Sequence, residues 1–199
     1  MPPALTDVID ALAAIKPGSA PDAVRNRRPQ AREQVEASFR ALFEPESFAG
    51  VSATERDALA VFVTCLHGDA VSAAFYADRL AAAGPSPEVP AAIDAAIAAA
   101  TGQGPYGRYP AGPLSREDTP GPSYHVGPEA RRILGARLAA AFDHAHLLVF
   151  HPRDAAPARL QALLDAGWST TDIVTLSQII AFLSFQIRVA AGLRVLATA

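Results

Sequence analysis

The chain has 199 residues, half of them hydrophobic and 19% charged, with 17 basic and 20 acidic residues giving a formal net charge of -3. That profile excludes a disordered tail, and without a long single-sign block there is no electrostatic footprint for nucleic acid, so no nucleic-acid partner is expected. The only cysteine, Cys65, excludes an intramolecular disulfide, and with no charged, apolar, cleavable leader the expected compartment is the cytoplasm.

Alanine, leucine and arginine dominate and alternating β-branched runs are scarce, so the expected class is all-α. The first helix is expected at 4–15, stopped by Pro17-Gly18, and a second at 30–43, ending before Pro45. The basic cluster from Arg25 to Arg28 between them reads as a solvated linker. Residues 1–47 are expected to form an N-terminal helical extension, and 48–199 the main domain. Within that domain helices are expected at 52–66, 69–83, 87–100, 128–149, 157–166 and 169–196. The last is very apolar but is interrupted by Gln178, Gln186 and Arg188, which leaves less than the roughly 20 uninterrupted apolar residues of a membrane span. A buried helix and no membrane partner are expected.

Two helix starts match at a constant offset of 117: GVSATERDALAVFV from Gly50 and GWSTTDIVTLSQII from Gly167. Ser52 with Glu55 is a capping box, and Ser169 with Asp172 is its shorter version. This register reads either as two helices that simply start the same way or as an internal helical-hairpin repeat, and the repeat is expected. Between the two starts lies the segment 102–126, with five prolines, five glycines and three of the four tyrosines, Tyr106, Tyr109 and Tyr124. No helix or strand persists through that composition, so it is either a loop packed over its own domain or a neighbour, or a mobile linker.

Two regions carry a family resemblance. The stretch SATERDALAVFVTCLHGDAVSAAFYADRLAAAG and the C-terminal region with Gly167-Trp168-Ser169, Phe182, Phe185 and Arg188 resemble the carboxymuconolactone decarboxylase and alkylhydroperoxidase D superfamily. That resemblance implies an all-α domain of this kind. In the family's redox hairpin a glutamate precedes Cys-x-x-Cys-x-x-x-His. Here Asp57 stands for the glutamate, Asp69 and Ser72 for the two cysteines, and Tyr76 for the histidine. Asp57, Asp69, Ser72 and Tyr76 are thus the family-position candidates for catalysis, but none supplies the thiolate and resolving thiol of a dithiol cycle. Members of the superfamily form rings or larger oligomers, which implies a homo-oligomer here, dimer, trimer or hexamer, with a complete paralogue as a further partner.

Spacing adds a second observation. Asp69, Ser72, Tyr76 and Arg79 share one helix face, either an ordinary solvated face or a pocket for a polar ligand. Arg188, in so apolar a helix, needs a carboxylate or must reach solvent, with Asp69 or Asp57 as partners. The candidate ligand-binding set is therefore Asp69, Ser72, Tyr76 and Arg188. Cys65 and His67 are two apart on a helix and point away from one another, so Cys65 reads as a structural thiol. His144, His146 and His151 lack an acid or cysteine at ligand spacing, and neither a metal nor a cofactor is expected. The expected function is a small-molecule-binding or assembly subunit without thiol peroxidase activity. The alternative is a cofactor-independent decarboxylase or isomerase at the position of the former cysteines.

Overall fold

The computed structural model of the chain describes residues 7–198. It is all-helical, with nine α-helices and no strand among the described residues. They are α1 (Val8–Leu12), α2 (Ala20–Asn26), α3 (Pro29–Phe43), α4 (Ala53–Leu66), α5 (Ala70–Ala82), α6 (Glu88–Ala99), α7 (Pro128–Phe150), α8 (Pro157–Asp165) and α9 (Thr170–Thr198). Residues 4–6 of the first expected helix lie outside the described residues.

Two local features depart from expectation. The linker expected before Pro29 contains α2, and its signal is Ser19 followed three residues later by Asp22. The Ser19 hydroxyl accepts from the Asp22 N–H, and the Asp22 carboxylate accepts from the Gly18 N–H at 2.8 Å. The basic cluster is correspondingly not all solvated, for Arg25 is buried against Asp7 at 2.8 Å and also pairs with Asp10. The second departure lies inside α7, where Gly135 adopts φ +79 and ψ 164 and breaks the helical path. No encoded residue but glycine tolerates that region readily.

The hub of the packing is α4, which contacts α3, α5, α6, α7 and α9. Every residue from Arg56 to Thr64 is buried, so this helix is enclosed on all sides rather than striped, with Arg56 and Asp57 as charged groups at its start. Its Phe62 stacks on Phe142 of α7 with ring centroids 4.3 Å apart, and both rings are fully buried. Helices α4 and α5 form an antiparallel hairpin closed by Gly68 at φ +69. The N-terminal helices share this core. Phe43 of α3 lies 5.0 Å from Tyr76 and 6.4 Å from Phe182, and α1, α2 and α3 all pack on α9.

The two matched helix starts are built alike. Ser52 N–H donates to Glu55 at 2.9 Å and Glu55 N–H to the Ser52 hydroxyl at 3.3 Å. Ser169 N–H donates to Asp172 at 2.9 Å and Asp172 N–H to the Ser169 hydroxyl at 3.2 Å. A single guanidinium joins them. Arg137 donates to the Gly50 carbonyl at 2.8 Å, to the Gly167 carbonyl at 2.6 Å and to Glu55 at 3.2 Å. Its Cζ also lies 3.7 Å from the centroid of the Trp168 ring.

By length and composition α7 and α9 are each long and apolar enough to cross a bilayer. Both are also built into the packing. Helix α9 buries Leu176, Ile179, Ile180, Leu183 and Ala190 on one side while leaving Val174, Phe185 and Val195 exposed on the other. The Pro/Gly-rich segment 102–126 packs over its own chain. Tyr124 stacks on His146 at 4.6 Å and donates to the Ala96 carbonyl at 3.1 Å, and Tyr106 rests on His151 at 5.1 Å. Asp154 accepts from the Arg108 N–H at 3.1 Å, and His151 Nε2 meets the Pro122 carbonyl at 2.9 Å.

Candidate functional site

Side chains at 57, 69, 72, 76 and 79 do line one side of the α4–α5 hairpin, but that side faces the core rather than solvent or a cavity. Asp69 is the N-cap of α5, accepting from the Ser72 N–H at 2.8 Å, and it pairs with Arg194 of α9. Burial alone would raise the Asp69 carboxyl, yet the backbone hydrogen bond from Ser72 and the charge of Arg194 bring it below the ordinary aspartate value. Asp57 pairs with Arg79 at 3.0 Å. Burial there outweighs the guanidinium and leaves the carboxyl above its usual range. Arg79 also reaches Glu44 at 3.2 Å and the Phe43 carbonyl at 3.0 Å, so its donors are used in holding α3 to the hairpin.

Tyr76 is sealed, with its hydroxyl donating to Gln186 Oε1 at 2.8 Å. Its removal from water raises the phenol far above the usual tyrosine value, so it is no proton donor near neutrality. Ser72 is equally sealed, and its hydroxyl, like Gln186 Nε2, has no partner among the described residues. The Tyr76–Gln186 bond thus links α5 to α9 inside the core. Arg188 is separate from all of them. It is exposed, donates to the Ser184 backbone carbonyl at 2.6 Å, and pairs with neither Asp57 nor Asp69, whose guanidinium partners are Arg79 and Arg194. The expected set is therefore divided: Tyr76 meets Gln186, Ser72 is buried one turn before it, Asp69 serves as a cap, and Arg188 belongs elsewhere.

Arg188 belongs to a cleft of about 490 Å³ between the end of α4, the end of α7 and the middle of α9. Leu148, Val149, Phe150, Ile180 and Ala181 form its apolar walls, with Gly104 and Pro105 of the long loop at its lip. The lip can sit there only because residue 104 has no side chain, since a Cβ would fall 2.8 Å from the Phe150 carbonyl oxygen. One end of the cleft is polar. His67, the C-cap of α4, lies 2.9 Å through Nε2 from the Ser184 hydroxyl, which also bonds the Ile180 carbonyl at 2.9 Å. Burial, and then the charge of Arg188, hold the His67 imidazole below its ordinary value, which leaves it neutral near pH 7. His67 and Ser184 are 117 residues apart, the same offset that relates the two helix starts. That register was the signal in the sequence that joins them.

Two further clefts flank the end of α7. One, of about 210 Å³, lies beneath the long loop and is lined by Tyr124, Asp143, His146, His151, Asp154 and Arg159. The other, of about 430 Å³, is apolar and runs between α7 and α8, with His144 and Ser177 in its wall. His144 Nε2 meets the Ser177 hydroxyl at 3.1 Å. Burial pushes both His144 and His146 down to about 4, so both are neutral above mildly acidic pH. No three histidine, cysteine, aspartate or glutamate side chains gather as a metal site among the described residues. Cys65 is half-buried, and burial followed by the nearby Asp94 raises its thiol, the opposite of an activated cysteine.

Comparison with protein-family models, with curated proteins and with solved structures gave no match.

Proposed function

We propose that this chain is a small-molecule-binding protein of the alkylhydroperoxidase D-like kind, without dithiol peroxidase activity, whose ligand sits in the His67–Ser184–Arg188 cleft. The observation that carries this reading is the convergence of three polar side chains at one end of an otherwise apolar cleft of about 490 Å³, the usual make-up of a small-ligand site. The α4–α5 hairpin and the paired helix starts bridged by Arg137 support the family reading, and the residues at 57, 69, 72 and 76 support the absence of dithiol chemistry. Decarboxylase or isomerase chemistry at Asp57, Asp69, Ser72 and Tyr76 is the weaker reading, because the clefts described above are lined by none of the four. In the favoured reading the chain assembles with copies of itself in the cytoplasm, and the exposed Val174, Phe185 and Val195 of α9 supply apolar surface for that contact.

Two measurements test it. With a dithiol reductant present, hydroperoxide consumption by the wild-type chain and by Cys65→Ser should both stay at the background rate. Cysteine-dependent turnover would show the peroxidase exclusion to be wrong. Separately, octan-1-ol titrated into the protein should shift the His67 imidazole resonances, and Ala181→Trp, an exposed position on the cleft wall, should abolish that shift. An unchanged shift in the Trp variant would place the alcohol elsewhere and remove the cleft as the site.

A further inference from the structure

The polar end of the cleft carries a charge that nothing among the described residues neutralises. Other guanidinium groups of this fold are engaged within the protein: Arg25 and Arg32 pair with Asp7 and Asp10, Arg79 with Asp57, Arg137 with Glu55 and Arg194 with Asp69, while the buried Arg56 donates to the Val51 and Leu42 carbonyls. Arg188 forms no ion pair among the described residues, and its one protein hydrogen bond goes to a carbonyl of its own helix, Ser184. A guanidinium has five N–H donors in a planar fork that suits a carboxylate. The remaining donors face a cleft whose other polar members, His67 and Ser184, are uncharged near neutrality. The Ser184 hydroxyl donates to the Ile180 carbonyl, so it accepts from His67 Nε2–H and the pair is held as a neutral donor–acceptor unit.

One cation beside one neutral pair complements a single negative charge. A phosphate dianion usually has more, such as a second cation or a row of backbone N–H groups. Away from that end the walls are aliphatic and aromatic, with Leu148, Val149, Phe150, Ile180 and Ala181. They favour a chain or ring without polar groups, because a buried polar group would find no partner there. We infer that the natural ligand is an amphipathic monocarboxylate, its carboxylate on Arg188 beside the His67–Ser184 pair and its apolar body along α7 and α9. This rests on the cleft being the ligand site and adds the chemical class.

The test uses the full chain with three probes of equal length, octanoate, octan-1-ol and octylamine, by calorimetry and by the His67 resonances, in the wild type, Arg188→Gln and Ala181→Trp. Thermal unfolding of each variant checks that the fold is retained, which the exposure of both positions leads us to expect. Octanoate should bind the wild type at least tenfold more tightly than octylamine, should lose at least tenfold in Arg188→Gln, and should fail to bind Ala181→Trp. Octan-1-ol should bind the wild type and Arg188→Gln alike. If octan-1-ol binds and is blocked by Ala181→Trp while octanoate shows no dependence on Arg188, the cleft stands as the site and the carboxylate class is wrong. If none of the three probes binds the wild type, or Ala181→Trp leaves all binding intact, the cleft itself is not the site and the inference falls with it.

Discussion

Acidification from pH 7 to pH 5 should remove on the order of 3 kcal/mol of folding stability, about 2 from His144 and a smaller share from His146, whose ring borders the cleft beneath the long loop. Both imidazoles are buried and held neutral, with values pushed down to about 4 against an ordinary value near 6.5. Between those two values the unfolded chain takes up a proton at each site that the folded chain refuses. Stability therefore falls as pH falls through this window and levels off below about 4 on their account. His67, lowered in the same direction, adds to the effect. The depressed carboxyls of Asp69 and Asp154 act in a separate and lower range, their contribution being lost only when they are protonated. Urea unfolding at pH 7, 6 and 5 measures the slope, and the double variant His144→Gln/His146→Gln should flatten most of it. Equal midpoints for the wild type at pH 7 and pH 5 would contradict the burial of both rings.

Replacing Arg137 by Met should destabilise the fold by about 3 kcal/mol, from the loss of charged hydrogen bonds and of the stack on an aromatic ring. For a chain of this size that is a fall in midpoint of about 6 to 12 °C. The cause is specific to the fork. Two of its arms hold the Gly50 and Gly167 carbonyls at 2.8 and 2.6 Å, just before α4 and α9 begin, and its face covers Trp168. Lysine offers no fork, so Arg137→Lys should recover little of the loss. A change of less than 0.5 kcal/mol for Arg137→Met, within the range of ordinary surface substitutions, would mean that the two helix starts are held by their own caps and packing.

Much of this fold is written in its punctuation. Ser52 with Glu55 and Ser169 with Asp172 announce the starts of α4 and α9, and the proline-rich run after Gly102 announces the loop. α2 is less visible because its seven residues give too short a period to read, although Ser19 with Asp22 marks its start. The candidate site is legible only in part, for a physical reason. Spacing shows that 69, 72, 76 and 79 share a face of α5, but whether the face meets water, a cavity or the core depends on how α3 and α9 dock, and periodicity within α5 carries no information on that. Gln186 and Phe43 arrive from those helices and close the face. The partner of Asp69 proved to be Arg194, six residues beyond the arginine that the apolar run made conspicuous. The His67–Ser184 pair is legible in the sequence, because the two residues keep the 117-residue register of the helix starts.

The break in α7 has a stereochemical consequence. At Gly135 a Cβ would meet no atom within 4 Å, so the position demands a handedness and not a lack of bulk. Among encoded residues only the achiral one suits a φ of +79, whereas a D-amino acid occupies the mirror-image region by preference. D-Alanine placed there by chemical ligation would keep the bend and restrict the unfolded chain, while L-alanine would set the backbone against itself at the turn that leads into Arg137.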